Sequence, residues 1–213
     1  MKSCVGLLLV LGGLTHASVI TLQSGVSAGE SNNINGTNFV LTDLNPNWAP
    51  DQDGASWISY EDTGYSASAP GYSPNPLPNA QGQNSPNAIF TQTFTDTNSP
   101  LVLNITVWAD DGGVLYLNGT QISSSANFNQ VAGVYCSPTG ITCTGPGTTF
   151  TEDLAPGTYT LSFGVYQEGG GTYGVMYSGT VTDTEDPMPE PASYILLGAG
   201  LVAFAMLRAK RLF

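Results

Sequence analysis

The chain has 213 residues, with 16 Asp or Glu, 4 Lys or Arg, 1 His and a formal net charge of −12. The cations sit at the tips, Lys2 at one end and Arg208, Lys210 and Arg211 at the other, so everything between them is purely anionic. Phosphate contacts need Lys or Arg, which excludes nucleic acid as a partner and anionic lipid surfaces with it.

Residues 1–17 begin with one positive charge, continue with an apolar run from Val5 to Leu14 and reach a small residue at Ala17. That order is the layout of a secretory signal peptide, with cleavage expected after Ala17. The sole histidine, His16, leaves with it. Residues 18–181 then form the exported domain, long enough for one hydrophobic core. Without His, Lys or Arg this part has no Ser-His or Cys-His pair, no Schiff-base lysine and no arginine clamp. Only carboxylate chemistry remains for an enzyme, with two acids flanking a glycosidic bond, so the domain is read as non-enzymatic with a glycosidase as one alternative.

In chain order, weak strand signals occur in "NFVLT" from Asn38 and "SWISY" from Ser56. The stretch from Ser66 to Asn87 is too rich in Pro and Asn for a strand and is expected to be a long surface loop. "AIFTQTF" from Ala88 is a further weak candidate, and "LVLNITVW" is a strong one. There Leu101, Leu103, Ile105 and Val107 share one face, with Asn104 and Thr106 on the other. "GVLYLN" from Gly113 and "TTFTEDL" from Thr148 follow. "GTYTLSFGVY" then alternates with Tyr159, Leu161, Phe163 and Val165 on one face, and "TYGVMYSGTV" with Tyr173, Val175, Tyr177 and Val181. Asp111-Gly112, Asn118-Gly119 and Pro156-Gly157 supply turn chemistry between them. About eight half-buried strands at this spacing predict an all-β, antiparallel two-sheet sandwich of jelly-roll type.

Two cysteines remain after export, Cys136 and Cys143 in "CSPTGITC", and an even pair in an oxidising compartment predicts a disulfide. The best local motif is "WADDGGVLYLNG", Trp108 to Gly119, where adjacent acids and glycines turn the chain between two strands. Adjacent carboxylates with no competing cation suit Ca²⁺, although Asp-Gly and Asn-Gly also serve as plain turns. The motif resembles the core of protective-antigen-type and galactose-binding-like jelly rolls. In lectin members of that group an Asp pair and an Asn hold a calcium ion that holds sugar hydroxyls. The resemblance implies Asp110 and Asp111 as ligands, with Asn118 as a third. Trp108 and Tyr72 are the candidates for a partly exposed aromatic platform against a sugar ring.

The segment 182–191 is an acidic, Pro-bearing linker, and 192–213 follows as an apolar helix with a basic tail. Ala192 to Leu207 carries no charge and spans roughly 24 Å as a helix, short for a bilayer core of about 30 Å. Arg208, Lys210 and Arg211 extend its reach and hold the tail on the cytoplasmic side. Pro189-Glu190-Pro191, then an apolar helix, then basic residues, resembles the PEP-CTERM sorting tail of Gram-negative bacteria. That resemblance implies processing by an exosortase and delivery to the cell surface or an exopolysaccharide matrix. The expectation is therefore an exported, surface- or matrix-associated binding module for extracellular polysaccharide, with calcium as its candidate cofactor. The alternatives are a passive structural matrix protein and a glycosidase. Surface-released protein should end near Pro189 to Pro191, lack all three C-terminal cations and resist trypsin. An intact mass that retains the tail would remove the sorting assignment.

Overall fold

The computed structural model describes residues 18–65, 86–97, 100–110, 112–123, 141–166 and 172–184, with 196, 198–202 and 208 in the C-terminal region. Val19–Thr184 forms one compact unit, and the C-terminal residues belong to another. In the latter, residues 196, 198–202 and 208 are helical, with Leu196, Leu201 and Val202 exposed. Among the described residues no helix is long and apolar enough to cross a membrane. The signal segment and Pro189-Glu190-Pro191 lie outside the described residues, as do Lys210 and Arg211.

Among the described residues the larger unit has eleven strands: β1 Val19–Gln23, β2 Glu30–Asn32, β3 Phe39–Val40, β4 Ile58–Ser59, β5 Ala88–Asp96, β6 Leu101–Asp110, β7 Gly112–Leu117, β8 Thr120–Gln121, β9 Thr148–Leu154, β10 Gly157–Tyr166 and β11 Gly174–Asp183. They form two antiparallel sheets. The first runs β3-β4-β11-β6-β9 with β1 also on β11, and the second runs β2-β5-β10-β7-β8. From β5 to β7, and again from β9 to β11, successive strands alternate between sheets, which is the winding of a jelly roll. The expected all-β sandwich is thus observed. β9 and β10 start and end where the sequence places them, while β1, β2 and β8 are additions. β11 also takes in Thr182 and Asp183, the first two residues assigned to the linker.

The alternation seen in sequence builds the core. Leu101, Leu103, Ile105 and Val107 of β6 meet Tyr173, Val175, Tyr177 and Val181 on one side and Phe90, Leu161, Phe163 and Val165 on the other, all at most 1% exposed. Full burial of each such aliphatic or aromatic side chain stabilises the fold by about 1.5–3 kcal/mol. Phe163 stacks on Tyr177 across the sheets at 4.3 Å.

β6 ends at Asp110 and β7 begins at Gly112, and the two strands do not pair with each other as a hairpin. β6 belongs to the first sheet and β7 to the second, so the chain crosses the sandwich there. The crossing is tight: a Cβ on Gly113 would stand 2.9 Å from the Ala109 Cβ, so only glycine fits.

One polar group bridges the sheets. The Tyr177 hydroxyl donates to Glu30 Oε1 at 2.5 Å and lies 3.1 Å from Gln92 Oε1, while the Gly25 N–H donates to the Glu30 carboxylate at 3.1 Å. Gln92 Nε2 in turn donates to the Ala28 carbonyl at 2.7 Å. Burial raises the Glu30 pKa above 4.5, and the hydrogen bonds from Tyr177 and Gly25 offset this only in part. A carboxyl with a raised folded-state pKa contributes stability that is present below the unfolded value and lost as pH rises through the folded one. Glu30→Gln removes this dependence. The urea midpoint of the variant relative to wild type should therefore move in the variant's favour between pH 4 and pH 7. A difference that stays flat would show that Glu30 titrates as an ordinary carboxylate.

Candidate functional site

The β6–β7 corner holds the acid singled out by sequence. Asp110 ends β6 opposite Gly174 of β11 and is 3% exposed. The Thr172 hydroxyl donates to Asp110 Oδ2 at 2.9 Å, and Asn45 Nδ2 donates to the Thr172 hydroxyl at 3.0 Å. This relay from the β3–β4 connection through the start of β11 fixes the carboxylate before any ligand arrives. Behind it Tyr173 is fully buried and donates to the Val165 carbonyl at 2.9 Å. Burial raises its phenol well above 10, with the nearby Asp110 charge acting in the same direction, so it remains a neutral hydroxyl. Asp111 lies outside the described residues, and among the described residues no three His, Cys, Asp or Glu side chains gather as a metal cluster.

Asn118 is not brought to this corner. It lies beyond the far end of β7, a six-residue strand of about 20 Å. Asn118 and Gly119 have φ of 48° and 80°, the left-handed pair that a two-residue hairpin turn requires. The Asn118 N–H donates to the Thr160 carbonyl at 2.9 Å and its Oδ1 accepts the Thr160 N–H at 2.8 Å. It therefore prolongs the β7–β10 ladder by one residue, and its side-chain oxygen is engaged there.

Trp108 does point away from the core face of its strand, as its position in the alternation requires. It is nevertheless only 3% exposed, which corrects the expectation of an open ring. A second apolar cluster covers it, made by Leu41, Trp48, Ala49, Ala55, Trp57, Cys143 and Met176 on the outer side of the first sheet. Trp48 stacks on Trp57 at 4.1 Å, Trp57 Nε1 donates to the Ala49 carbonyl at 2.8 Å, and Trp108 Nε1 donates to the Gly145 carbonyl at 3.1 Å. The segment over Trp108 is held by Ala109 N–H to Thr142 O at 3.0 Å and Ala49 N–H to Cys143 O at 2.9 Å. Gly147, at φ 73°, lies so close that a Cβ would stand 2.5 Å from the indole. Cys143 is fully buried and disulfide-bonded, while its expected partner Cys136 lies outside the described residues, as does Tyr72.

Beyond this cluster the same sheet face is open and polar. An open groove of about 390 Å³ is lined by Thr21, Gln23, Asp53, Asn104, Ser178 and Thr180. The β6, β11 and β1 ladders place two rungs side by side, Thr21–Thr180–Asn104 and Gln23–Ser178–Thr106. The wall is the turn around Asp53, whose φ of 48° is left-handed and whose carbonyl accepts a hydrogen bond from Gln23 Nε2. Sequence inspection placed Asn104 on the outer face of its strand but missed the groove, because its lining comes from four separate segments.

No family model matches the chain, and no curated protein sequence matches it. Among solved structures, similarity is found to a family 35 carbohydrate-binding module from Clostridium thermocellum. The identity is 12% and the TM-score 0.41, over 76% of this chain and 97% of that one. A second such module, from Paenibacillus barcinonensis, gives 14% identity and a TM-score of 0.37 over 78% and 99%. The K1 cleaved adhesin domain of Lys-gingipain from Porphyromonas gingivalis gives 11% and 0.37 over 81% and 100%. At these values no residue, ligand or activity passes from those proteins to this chain.

Because Trp48, Trp57 and Trp108 are at most 6% exposed, native fluorescence should be blue-shifted and resist quenching by acrylamide until the protein unfolds. Efficient quenching of the native protein would contradict the covered state of Trp108.

Proposed function

We propose that the chain is an exported surface or matrix protein whose β-sandwich binds extracellular carbohydrate without cleaving it, with calcium at the Asp110–Asp111 corner as the link to sugar hydroxyls. The observation that carries this reading is the Asp110 carboxylate, nearly buried yet aimed by the Thr172–Asn45 relay at the end of a rigid strand. Its oxygens are hard donors of the kind Ca²⁺ takes, and no Lys or Arg between Lys2 and Arg208 competes for them. The ion would supply a Lewis-acidic centre for hydroxyl oxygens, and Thr172 and Asn45 would keep the carboxylate in place. Asn118 is withdrawn from this ligand set because its side-chain oxygen serves the Thr160 N–H.

Export, exosortase processing at Pro189-Glu190-Pro191 and anchoring by the C-terminal helix beforehand belong to the same proposal and rest on the order of motifs at the two ends. So does the Cys136–Cys143 pairing, which would close a loop of about eight residues and contribute roughly 2.5 kcal/mol. The passive matrix alternative is favoured by the turn role of Asn118 and the covered Trp108. The glycosidase alternative needs two carboxyls about 5–10 Å apart. Among the described residues the two most buried acids, Asp96 and Asp110, end β5 and β6 at opposite ends of the sandwich, about the length of a nine-residue strand apart.

Calcium in excess should raise the melting temperature, since a ligand at 100 times its dissociation constant adds about 2.7 kcal/mol, and chelation should reverse the gain. Asp110→Asn with Asp111→Asn keeps the shape, removes the charge and should abolish the response. Asp111→Asn alone, which leaves the buried relay intact, should weaken it. A double variant that keeps the full response would place the ion elsewhere, and no response in wild type would favour the passive matrix alternative.

A further inference from the structure

We infer that the open groove on the outer face of the first sheet is a second binding cleft, one that takes a neutral, hydroxyl-rich polysaccharide chain without calcium. It shares only the class of ligand with the corner at Asp110 and stands whether or not that corner holds an ion.

The groove differs from the rest of the surface in how its polar side chains are used. Elsewhere, facing hydroxyls on neighbouring strands pair with each other: Ser31 with Thr91 at 2.7 Å, Thr95 with Thr158 at 2.9 Å and Thr106 with Thr149 at 2.9 Å. In the groove, the side chains of Thr21, Asn104, Ser178 and Thr180 make no hydrogen bond among the described residues. Three hydroxyls and a primary amide thus present both donors and acceptors to whatever lies above the sheet.

Their positions are set in advance. Thr21 faces Thr180 and Thr180 faces Asn104 across two continuous ladders, so the spacing between these groups is the strand spacing of about 4.8 Å. The wall is held just as firmly. Gln23 Nε2 donates to the Asp53 carbonyl, the Ser24 hydroxyl donates to the Ser56 carbonyl at 2.6 Å, and Ser56 N–H returns to Ser24 O at 2.9 Å. A Cβ on Gly54 would meet the Gln23 amide at 2.8 Å, so the glycine keeps the turn closed onto β1. A cleft that needs little ordering on binding loses little affinity to that ordering.

The chemistry selects the occupant. Asp53 stands on the wall and no Lys or Arg lies between Lys2 and Arg208, so nucleotides, uronate-rich chains and acidic peptides meet only repulsion. The outward residues of the floor include no large apolar side chain, which leaves a lipid or a hydrophobic peptide nothing to bury. A chain of neutral sugars carries hydroxyls that both donate and accept, matches amide and hydroxyl partners and incurs no charge penalty. The volume of about 390 Å³ falls within the roughly 300–1,000 Å³ of small-ligand clefts, room for a short stretch of such a chain.

The test is affinity electrophoresis of the full chain, in a polyoxyethylene detergent with chelator present, through gels containing hydroxyethyl cellulose, dextran, galactomannan or alginate. Retardation by at least one of the three neutral polymers and none by alginate is expected. Thr21→Val with Thr180→Val keeps the β-branched shape and removes two hydroxyls, and should weaken retardation at least tenfold with an unchanged melting temperature. Thr95→Val with Thr158→Val, on the opposite sheet, should bind like wild type, and so should Asp110→Asn with Asp111→Asn. The proposal is overturned by retardation in alginate alone, by none in any neutral polymer, or by full retardation of the Thr21/Thr180 variant. Self-association that this variant abolishes would identify a second copy of the chain as the occupant and would overturn it equally. Binding that needs calcium and disappears with the Asp110/Asp111 pair would place the ligand at the corner and leave the groove without a role.

Discussion

The rest of the structure hangs on the ten-residue ladder between β6 and β11, Leu101↔Asp183 through Asp110↔Gly174. Three further strands of the first sheet attach directly to these two, β9 to the free edge of β6 and β1 and β4 to successive parts of the free edge of β11, and β3 joins through β4. The inward side chains of the pair supply eight of the core positions that close the sandwich. Their outward side chains, half of them Thr, Ser or Asn, supply the floor of everything on the opposite face. A one-residue slip would exchange the two sets, burying Asn104, Thr106 and Ser178 and exposing Leu103, Ile105 and Tyr177. The register is therefore enforced by burial on one side, and the polar face inherits its precision from the core.

Lack of cationic partners imposes a second constraint, on how the carboxylates are satisfied. Glu30 takes the Gly25 N–H and the Tyr177 hydroxyl, Asp110 takes the Thr172 hydroxyl, and Asp51 takes the Ser56 hydroxyl at 3.0 Å. Neutral donors stabilise a buried charge less than an arginine fork does. That is why burial dominates at Glu30 and its pKa moves up. The same shortage shapes ligand choice. Acids held only by hydroxyls and backbone amides leave a negative field that divalent ions and neutral polyols tolerate and anions do not.

Period-two alternation made β6, β10 and β11 plain in the sequence: β6 and β10 have at least four apolar residues on one face, and β11 has Val175, Tyr177 and Val181 with Tyr173 just before it. β9 was legible for its Thr and Phe content. β2, Glu-Ser-Asn, carries no apolar residue at all and pairs through Thr91 and Gln92 of β5, so nothing local marks it as a strand. β1 hides behind the apolar run of the signal segment, and β8 is two residues following a turn. At the corner, the sequence identified the acid pair but not the burial of Asp110, since Thr172, which donates to it, lies 62 residues downstream and Asn45, which donates to Thr172, lies 65 residues upstream. The coverage of Trp108 was equally hidden: the direction of the ring follows from alternation, whereas its lid comes from residues near 41–57 and 141–147. The groove carried one readable signal, the outward Asn and Thr of β6, but no local motif joins them to Thr21 or Asp53.

The aromatic cluster and the groove share a wall, which bears on how the proposed cleft would recognise a ligand. The segment from Leu41 to Trp57 places Trp48 and Trp57 against Trp108 and Met176, and its turn at Asp53 borders the groove. Cys143 lies beneath the same segment, and its carbonyl accepts the Ala49 N–H. All three tryptophans are therefore committed to holding the wall in place, and none offers a ring to a sugar. Among the described residues this face offers the proposed ligand hydrogen bonds and no aromatic platform, and each such bond replaces one to water. Net affinity per contact is then small, about 0.5–1.5 kcal/mol, and binding accumulates only along several sugar units. A long, repetitive polymer satisfies that condition and a free monosaccharide does not, so the proposed cleft would suit residence in a polysaccharide network more than capture of a soluble sugar.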